Sequence, residues 1–525
     1  MRMTTKFFGI AAALIAFAAG AQAQTAVFVG AGSSALFLEA GQAAAAATTA
    51  TPAGLGAVCI WSQSGGLATS LTVADTATET GQAWVAWTPG TANNTSTCGT
   101  ITTSTLIYVY VQTDSVLGNR LYFNGGKIGF VSTSPSGSAS SNLILGSGNE
   151  QALNATVWGK VSGAVLTAAG TDIRPEDAKF ATTRVNTNCG TAVSSSIYDG
   201  LGYAFGTSID SYYSTSTFHV VNFTLPTSGY TAIPVGATPI IFAVNPSNTT
   251  NGFGTGVSNI TPVVLSKFLS GAYGNTSDLT GAAGTSPATV LIREPLSGTY
   301  NTTEYTSVDT TTFQVSQDGG NCNGTVPNTN PMHIASSDNS SAYRNRVIGT
   351  GEAVKEILAV KDAFGYAFWS AANWKNATST TGRYLTVNGY DPLYNRSAST
   401  YSTTKNTIPT TGNGYLPDVT FTDINNGNYP AWSALRIVTA STGTNFTYAN
   451  KLAQRLQGFI SSTTQPDFIP AASLTVWRSH FNPPGQSVTP NNGSSAAGLS
   501  CGTEAGGDVG GVILNPASCT TGERQ

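Results

Sequence analysis

The stretch "AVFVGAGSSALFLEAGQAAAAA", residues 26–47, changes character twice. Ala26–Gly30 is apolar enough for a short strand, glycines then turn the chain, and the Ala-rich remainder suits a helix with Ser33 or Ser34 at its cap. Strand, glycine turn and helix in succession open an α/β fold.

Upstream of this stretch, Arg2 and Lys6 precede the apolar run Phe7–Ala19, and Ala21-Gln22-Ala23 has the small-x-small pattern of a signal-peptidase site. Residues 1–23 are expected to be removed near Ala23, giving a periplasmic or secreted product. No cysteine follows that site to carry a lipid, and no later run reaches the roughly 20 apolar residues of a membrane helix, so no membrane insertion is expected.

Downstream, strands are expected at Leu106–Gln112, Val161–Thr167, Pro239–Val244 and Ala288–Ile292, with a helix at Tyr448–Phe459. Residues 44–104 and the tail from Asn482 to Gln525 are loop-rich in composition, and no solenoid or propeller repeat is visible. With 40% hydrophobic and 10% aromatic residues the chain has the makings of packed cores. Only 9% of residues are charged and the net charge is −3, which supplies no electrostatic footprint for nucleic acid or an anionic membrane.

Six cysteines, Cys59, Cys98, Cys189, Cys322, Cys501 and Cys519, read as disulfides in an exported chain. Sequence proximity favours Cys59 with Cys98 and Cys501 with Cys519, leaving Cys189 with Cys322. A metal site is not expected, because there is no C-x-x-C and His219, His333 and His480 have no ligand spacing. No cofactor is expected either.

A second stretch bears on function. "LIREPLSGTY", residues 291–300, ends a strand in Arg293 and follows it with Ser297, Gly298 and Thr299. In so weakly charged a chain, a guanidinium beside backbone N–H groups, two hydroxyls and a glycine that lets a ligand approach is a site for an oxyanion. The plainer reading is a capped helix beside a surface arginine, and "TYNTTEYTSV" is rich in β-branched residues for a helix. "GTDIRPEDAKFA", residues 170–181, places Asp172 after a strand, with Pro175, Glu176 and Asp177 suited to a first helical turn. Asp172 is then either an ordinary N-cap or a carboxylate facing the same anion. In the second case the anion must carry a proton to share, as phosphate does and sulfate does not.

In the order of these segments the chain resembles the periplasmic phosphate-binding proteins of ABC transporters (PstS-like). "VFVGAGSSALF" is similar to the family's opening turn and "TDIRPEDA" to its strand ending in a ligand-facing aspartate. "IPVGATPIIFAVNP" and "NYPAWSALRIV" resemble the two strands that cross between domains, and "AFGYAF" a later strand. "REPLSGT" keeps the family's Arg-x-x-x-Ser-Gly-Thr spacing in full. The resemblance covers about two thirds of the mature chain at low overall similarity.

It implies an α/β, two-lobed periplasmic-binding fold of type II, with domain I at residues 24–240 and 429–485, including a disulfide-bearing insertion at about 44–104. Domain II would be residues 241–428, and 486–525 a Gly/Asn-rich tail. It also implies a binding protein, not an enzyme, taking inorganic phosphate or a related oxyanion in the interdomain cleft for an ABC permease in the inner membrane. The implied ligand residues are Ser34, Ala35, Ser115, Asp172, Arg293, Ser297, Gly298 and Thr299. Ser34 and Ala35 stand where the family uses Thr and Phe.

Two other readings compete with this one. "GLSCG", residues 498–502, fits a G-x-S-x-G nucleophile elbow, but no strand precedes it. An extracellular surface or matrix protein that keeps the binding fold without transport is compatible with the low charge and loop expansions.

Overall fold

Thr25–Gly32 form β1, which in the computed structural model lies inside a 14-stranded sheet. The structure describes residues 25–45, 59–62, 69–72, 78–88, 101–130, 152–175, 177–179, 223–293, 296–307, 317, 332–333, 344–347, 349–398, 406–462, 465–475, 477–478 and 512–513. The export signal, Cys98, Cys189, Cys322, Cys501, Cys519, Glu176 and the G-x-S-x-G match lie outside them. Cys59 is buried and disulfide-bonded, and the expected pairings involve residues outside the described ones.

The other strands that position the site are β2 (Cys59–Ser62), β3 (Ala83–Trp87), β4 (Leu106–Gln112), β5 (Ala168–Thr171), β6 (Tyr230–Val244), β7 (Thr289–Arg293), β8 (Met332–His333), β9 (Arg344–Val347), β10 (Ala363–Phe368), β11 (Arg383–Val387) and β12 (Trp432–Ala440). The helices are α1 (Phe37–Ala45), α2 (Ser115–Phe123), α3 (Ala155–Val161), α4 (Pro262–Leu269), α5 (Gly298–Thr306), α6 (Gly349–Ala359) and α7 (Gly443–Ile460). Strand order along the sheet is β8-β9-β7-β10-β6-β12-β5-β1-β4-β3-β2, with β11 also paired to β6.

Strand direction explains why a site forms. β5, β1 and β4 are mutually parallel, as are β10, β7 and β9. Between these groups run the long strands β6 and β12, antiparallel to each other, with β12 antiparallel to β5 and β6 antiparallel to β10. The two parallel groups therefore run in opposite directions, one against each end of β6. Their C-terminal ends face each other near the middle of β6, and open α/β sheets bind ligands outside the C-terminal ends of their strands.

The sequence of each strand fits this placement. "LIYVYVQ" of β4 is covered on both faces: Tyr108 and Tyr110 join the larger core, and Ile107, Val109 and Val111 a second one. β6 tolerates Pro234 because the register against β12 shifts between Leu435 and Arg436, which places a proline without an N–H at a bulge.

Several expectations are corrected. The helix after β1 begins at Phe37, and neither Ser33 nor Ser34 caps it with its side chain; the Ser33 hydroxyl instead accepts from Ala35 N–H at 3.2 Å within the preceding turn. The strand expected at Val161–Thr167 is not there. Asn154 caps α3 through Thr156 N–H, and Val157 and Val161 bury one face four residues apart, a helical spacing; the strand follows at β5. The expected strand 239–244 is the C-terminal part of a longer strand, β6, and the expected helix 448–459 lies within the longer α7. Within the loop-rich stretch 44–104, β2 and β3 extend the main sheet beyond β4, and Trp84 donates to Phe37 O at 3.0 Å. In the tail, Val512–Ile513 pair with Trp477–Arg478.

Candidate functional site

Each implied site residue sits at or just beyond the C-terminal end of a parallel strand. Ser34 follows β1, in a turn held from three sides: Ser33 N–H donates to Gly170 O at 2.8 Å, Thr113 N–H to Gly32 O at 2.8 Å, and the Tyr110 hydroxyl to Ser33 O at 2.8 Å. Burial, with the negative charges of Asp172 and Glu39 adding to it, pushes the Tyr110 phenol well above its ordinary value, so it stays protonated and keeps donating.

Asp172 follows β5. Its N–H donates to the Ser115 hydroxyl at 3.1 Å, and Ser433 donates to its carbonyl at 2.6 Å. Ser115 starts α2 and is fixed in turn by Asn119, whose amide donates to Ser115 O at 2.8 Å and to Thr171 Oγ1 at 3.1 Å.

From the other half of the sheet, Arg293 is the last residue of β7 and α5 begins five residues later. The Ser297 hydroxyl accepts from Tyr300 N–H at 3.4 Å, a capping bond, and Asn301 donates to Ser297 O at 2.8 Å. These bonds and the burial of Tyr300 sustain a helix whose β-branched composition argues against it.

The two halves meet around the guanidinium. Arg293 Nη1 donates to Thr299 Oγ1 at 3.0 Å and to Thr350 Oγ1 at 3.3 Å, and Nη2 donates to Ser34 Oγ at 3.4 Å. Thr299 Oγ1 donates to Asp172 Oδ2 at 3.3 Å. Ser34 Oγ also accepts from Thr350 N–H at 2.9 Å and lies 3.1 Å from Thr350 Oγ1. Val116 N–H donates to Leu296 O at 3.1 Å, a backbone bond across the same junction. Arg293 is only 1% exposed and Asp172 2%, so these charges are held by protein groups in a nearly water-free setting.

Gly298 completes the junction by what it lacks. A Cβ there would lie 2.1 Å from Asp172 Oδ1, so only glycine lets α5 approach the carboxylate this closely. Gly349 does the same for α6: its φ is +76°, and a Cβ would meet Gln112 at 3.0 Å.

Ser34, Asp172, Arg293, Gly298 and Thr299 are thus brought into one cluster. Ser115 reaches it through the Asp172 backbone, which corresponds to a supporting position. The Ser297 hydroxyl oxygen accepts its helix-capping bond, and Ala35 N–H donates to Ser33. Gly349 and Thr350 were not read from the sequence. The signal was present in "RVIGTGEAVKEI", a strand passing through a glycine turn into a helix like the opening stretch.

Among the described residues, no helix is long and apolar enough to cross a membrane, and no group of three His, Cys, Asp or Glu side chains could hold a metal ion.

No protein-family model and no curated protein matches the chain. Solved structures similar to it include phosphate-binding proteins. A high affinity periplasmic phosphate-binding protein, PfluDING, bound with phosphate, has 12% identity and a TM-score of 0.33, covering 69% of this chain and 83% of its own. A phosphate-binding protein from Stenotrophomonas maltophilia has 17% identity and a TM-score of 0.31, covering 67% and 76%. An ABC-type phosphate transport receptor from Vibrio cholerae has 13% identity and a TM-score of 0.28, covering 50% and 78%.

Proposed function

We propose that this protein is an exported solute-binding protein that holds phosphate, or a related oxyanion, between two lobes and delivers it to an ABC-type permease. The observation that carries the reading is the Arg293 guanidinium, 1% exposed at the junction of two oppositely directed parallel groups, donating to hydroxyls from both sides. A planar fork of donors, ringed by hydroxyls that can re-aim toward a ligand, suits a tetrahedral oxyanion. Ser34, Asp172, Arg293, Gly298 and Thr299 are the residues proposed to face it, with Ser115 supporting Asp172.

The lobes are proposed as residues 24–240 with 429–485, and residues 241–428, the chain passing between them in β6 and again before β12. Such a division places Ser34 and Asp172 on one lobe and Arg293, Gly298 and Thr299 on the other, so closure assembles the site. Binding, and not catalysis, fits the hydroxyls: Ser34 and Thr350 contact a guanidinium, which cannot take a proton from them.

Asp172 gives the selectivity. A bound hydrogen phosphate can donate its proton to this carboxylate, whereas sulfate would face a like charge without a shared proton. Calorimetric titration of the mature protein with phosphate, arsenate and sulfate tests the proposal. Phosphate and arsenate should bind and sulfate should not; absence of binding heat for all three, at several temperatures, would overturn it.

A further inference from the structure

Counting protons in the cluster leads to a residue that the sequence did not single out. Two N–H donors reach Ser34 Oγ, Thr350 N–H at 2.9 Å and Arg293 Nη2 at 3.4 Å, and neither can accept. A hydroxyl oxygen has two acceptor positions and one proton. Both acceptor positions of Ser34 are therefore filled. The 3.1 Å contact between Ser34 Oγ and Thr350 Oγ1 must then run from Ser34 to Thr350, because the reverse would need a third acceptor position.

Thr350 Oγ1 consequently accepts twice, from Ser34 and from Arg293 Nη1 at 3.3 Å. Its own proton is left to point away from both. Thr299 differs: its oxygen accepts from Arg293 at 3.0 Å and its proton goes to Asp172 Oδ2 at 3.3 Å. Of the three hydroxyls that contact Arg293, Thr350 is the one whose proton has no acceptor among the described residues. Thr350 is 1% exposed, so bulk water is not the natural recipient.

We propose that Thr350 is a ligand-binding residue, donating its hydroxyl proton to the bound oxyanion from the start of α6. The inference rests on the oxyanion reading of the cluster and deepens it. It adds a third segment from the Arg293 side of the cleft, after α5 and β7. It also gives Ser34 a defined part: the Ser34 proton, by going to Thr350, sets the direction in which the Thr350 proton points. Gly349, with φ +76° against Gln112 and Ser34, holds Thr350 in that place.

The test is calorimetric titration with inorganic phosphate on variants of the full mature chain. Thr350→Val keeps the branched shape and the backbone N–H but removes the hydroxyl, and should weaken binding about tenfold or more, as expected for a lost hydrogen bond to a charged group. Thr350→Ser should restore affinity to within about threefold of wild type. If Thr350 acted only by positioning Ser34, its removal would cost nothing once Ser34 was alanine, so Thr350→Val is also measured in a Ser34→Ala background. A further loss of about tenfold there supports direct donation; no further loss overturns it, as does near-wild-type binding by Thr350→Val alone.

Thermal denaturation without phosphate checks that the fold is intact. Should Thr350→Val melt early, Thr350→Ala, which adds no apolar branch to the cleft, is measured in its place with the same two outcomes. Arg293→Ala separates the two levels of inference. If it retains full phosphate affinity, the oxyanion reading itself is wrong. If it loses affinity while the Thr350 variants do not, only the present inference fails.

Discussion

Gly298→Ala tests the closed junction most directly, because one methyl group meets one carboxylate. The added Cβ would lie 2.1 Å from Asp172 Oδ1, 2.5 Å from Cγ and 2.9 Å from Oδ2, whereas ordinary contact begins near 3.4 Å. Either Asp172 turns away or the two halves separate by roughly 1.3 Å, the gap needed to restore ordinary packing. A separation of that size takes three junction bonds out of hydrogen-bonding range: Thr299 to Asp172 (3.3 Å), Arg293 to Ser34 (3.4 Å) and Val116 N–H to Leu296 O (3.1 Å). Each contributes about 0.5 to 1.5 kcal/mol, and those to charged groups up to about 3, so phosphate affinity should fall roughly a hundredfold or more. The helix itself should not suffer, since alanine is a better helix former than glycine. Binding is read by calorimetry and folding by thermal denaturation without ligand. All three nearest atoms belong to Asp172, so in an Asp172→Ala background the glycine change should cost nothing further. A Gly298→Ala protein that binds phosphate within about threefold of wild type would refute the close approach of α5 to Asp172.

Other outcomes follow from the same site and its surroundings. Arg293→Ala should weaken phosphate binding by roughly 2 to 5 kcal/mol, at least about thirtyfold, with circular dichroism unchanged. Asp172→Asn should retain much of its phosphate affinity, since the amide oxygen still accepts, and should begin to admit sulfate; competition between the two anions at fixed pH and salt reads this. Glu39 is fully buried in α1, and burial, with Asp467 adding negative charge, raises its carboxyl from 4.5 to about 8, an effect that Ser370 offsets only in part. The folded state then holds a proton that the unfolded state releases, so stability should fall as pH rises from about 5 to 8; Glu39→Gln should flatten that slope, gaining up to a few kcal/mol at the alkaline end in urea denaturation.

How much of this was legible in the sequence depended on where each signal lay. β1, β4 and β7 were read almost to the residue because they are buried runs bounded by glycine or charge. β5 was missed because it is "AAGT", with no hydrophobic pattern to find. Small residues are needed there, since a Cβ on Gly170 would lie 2.1 Å from the Tyr110 hydroxyl. Hydrophobic pattern alone marked only Pro239–Val244 of β6, because Pro234 and Gly236 read as breakers; the resemblance carried the strand back to Ile233, and the bulge against β12 accommodates both residues. Arg293, Ser297, Gly298 and Thr299 were legible because they fall within seven consecutive residues. Thr350 was not, because its partners Arg293 and Ser34 lie 57 and 316 positions away, and its turn is one glycine-threonine turn among many in this chain. Proximity of that kind is set by the fold, through the opposed directions of the two parallel groups.

The same opposition bears on why a site proposed for an anion is built with so little charge. In the cluster one guanidinium and one carboxylate are joined through hydroxyls, with a backbone N–H donating to one of them, among the described residues. A site made of several lysines or arginines would hold sulfate and phosphate alike, since Coulomb attraction responds to charge and hardly at all to the proton that distinguishes them. Hydroxyls and one carboxylate respond to that proton. An Asp carboxylate has about four lone-pair positions, so Asp172 can accept from Thr299 and still accept from a protonated ligand, whereas an unprotonated dianion brings only repulsion. Burial sharpens the distinction, because at 2% exposure water does little to screen that repulsion. On the proposed function, the hydroxyls and the Asp172 carboxylate beside Arg293 are what turn attraction to anions in general into preference for an oxyanion that carries a proton.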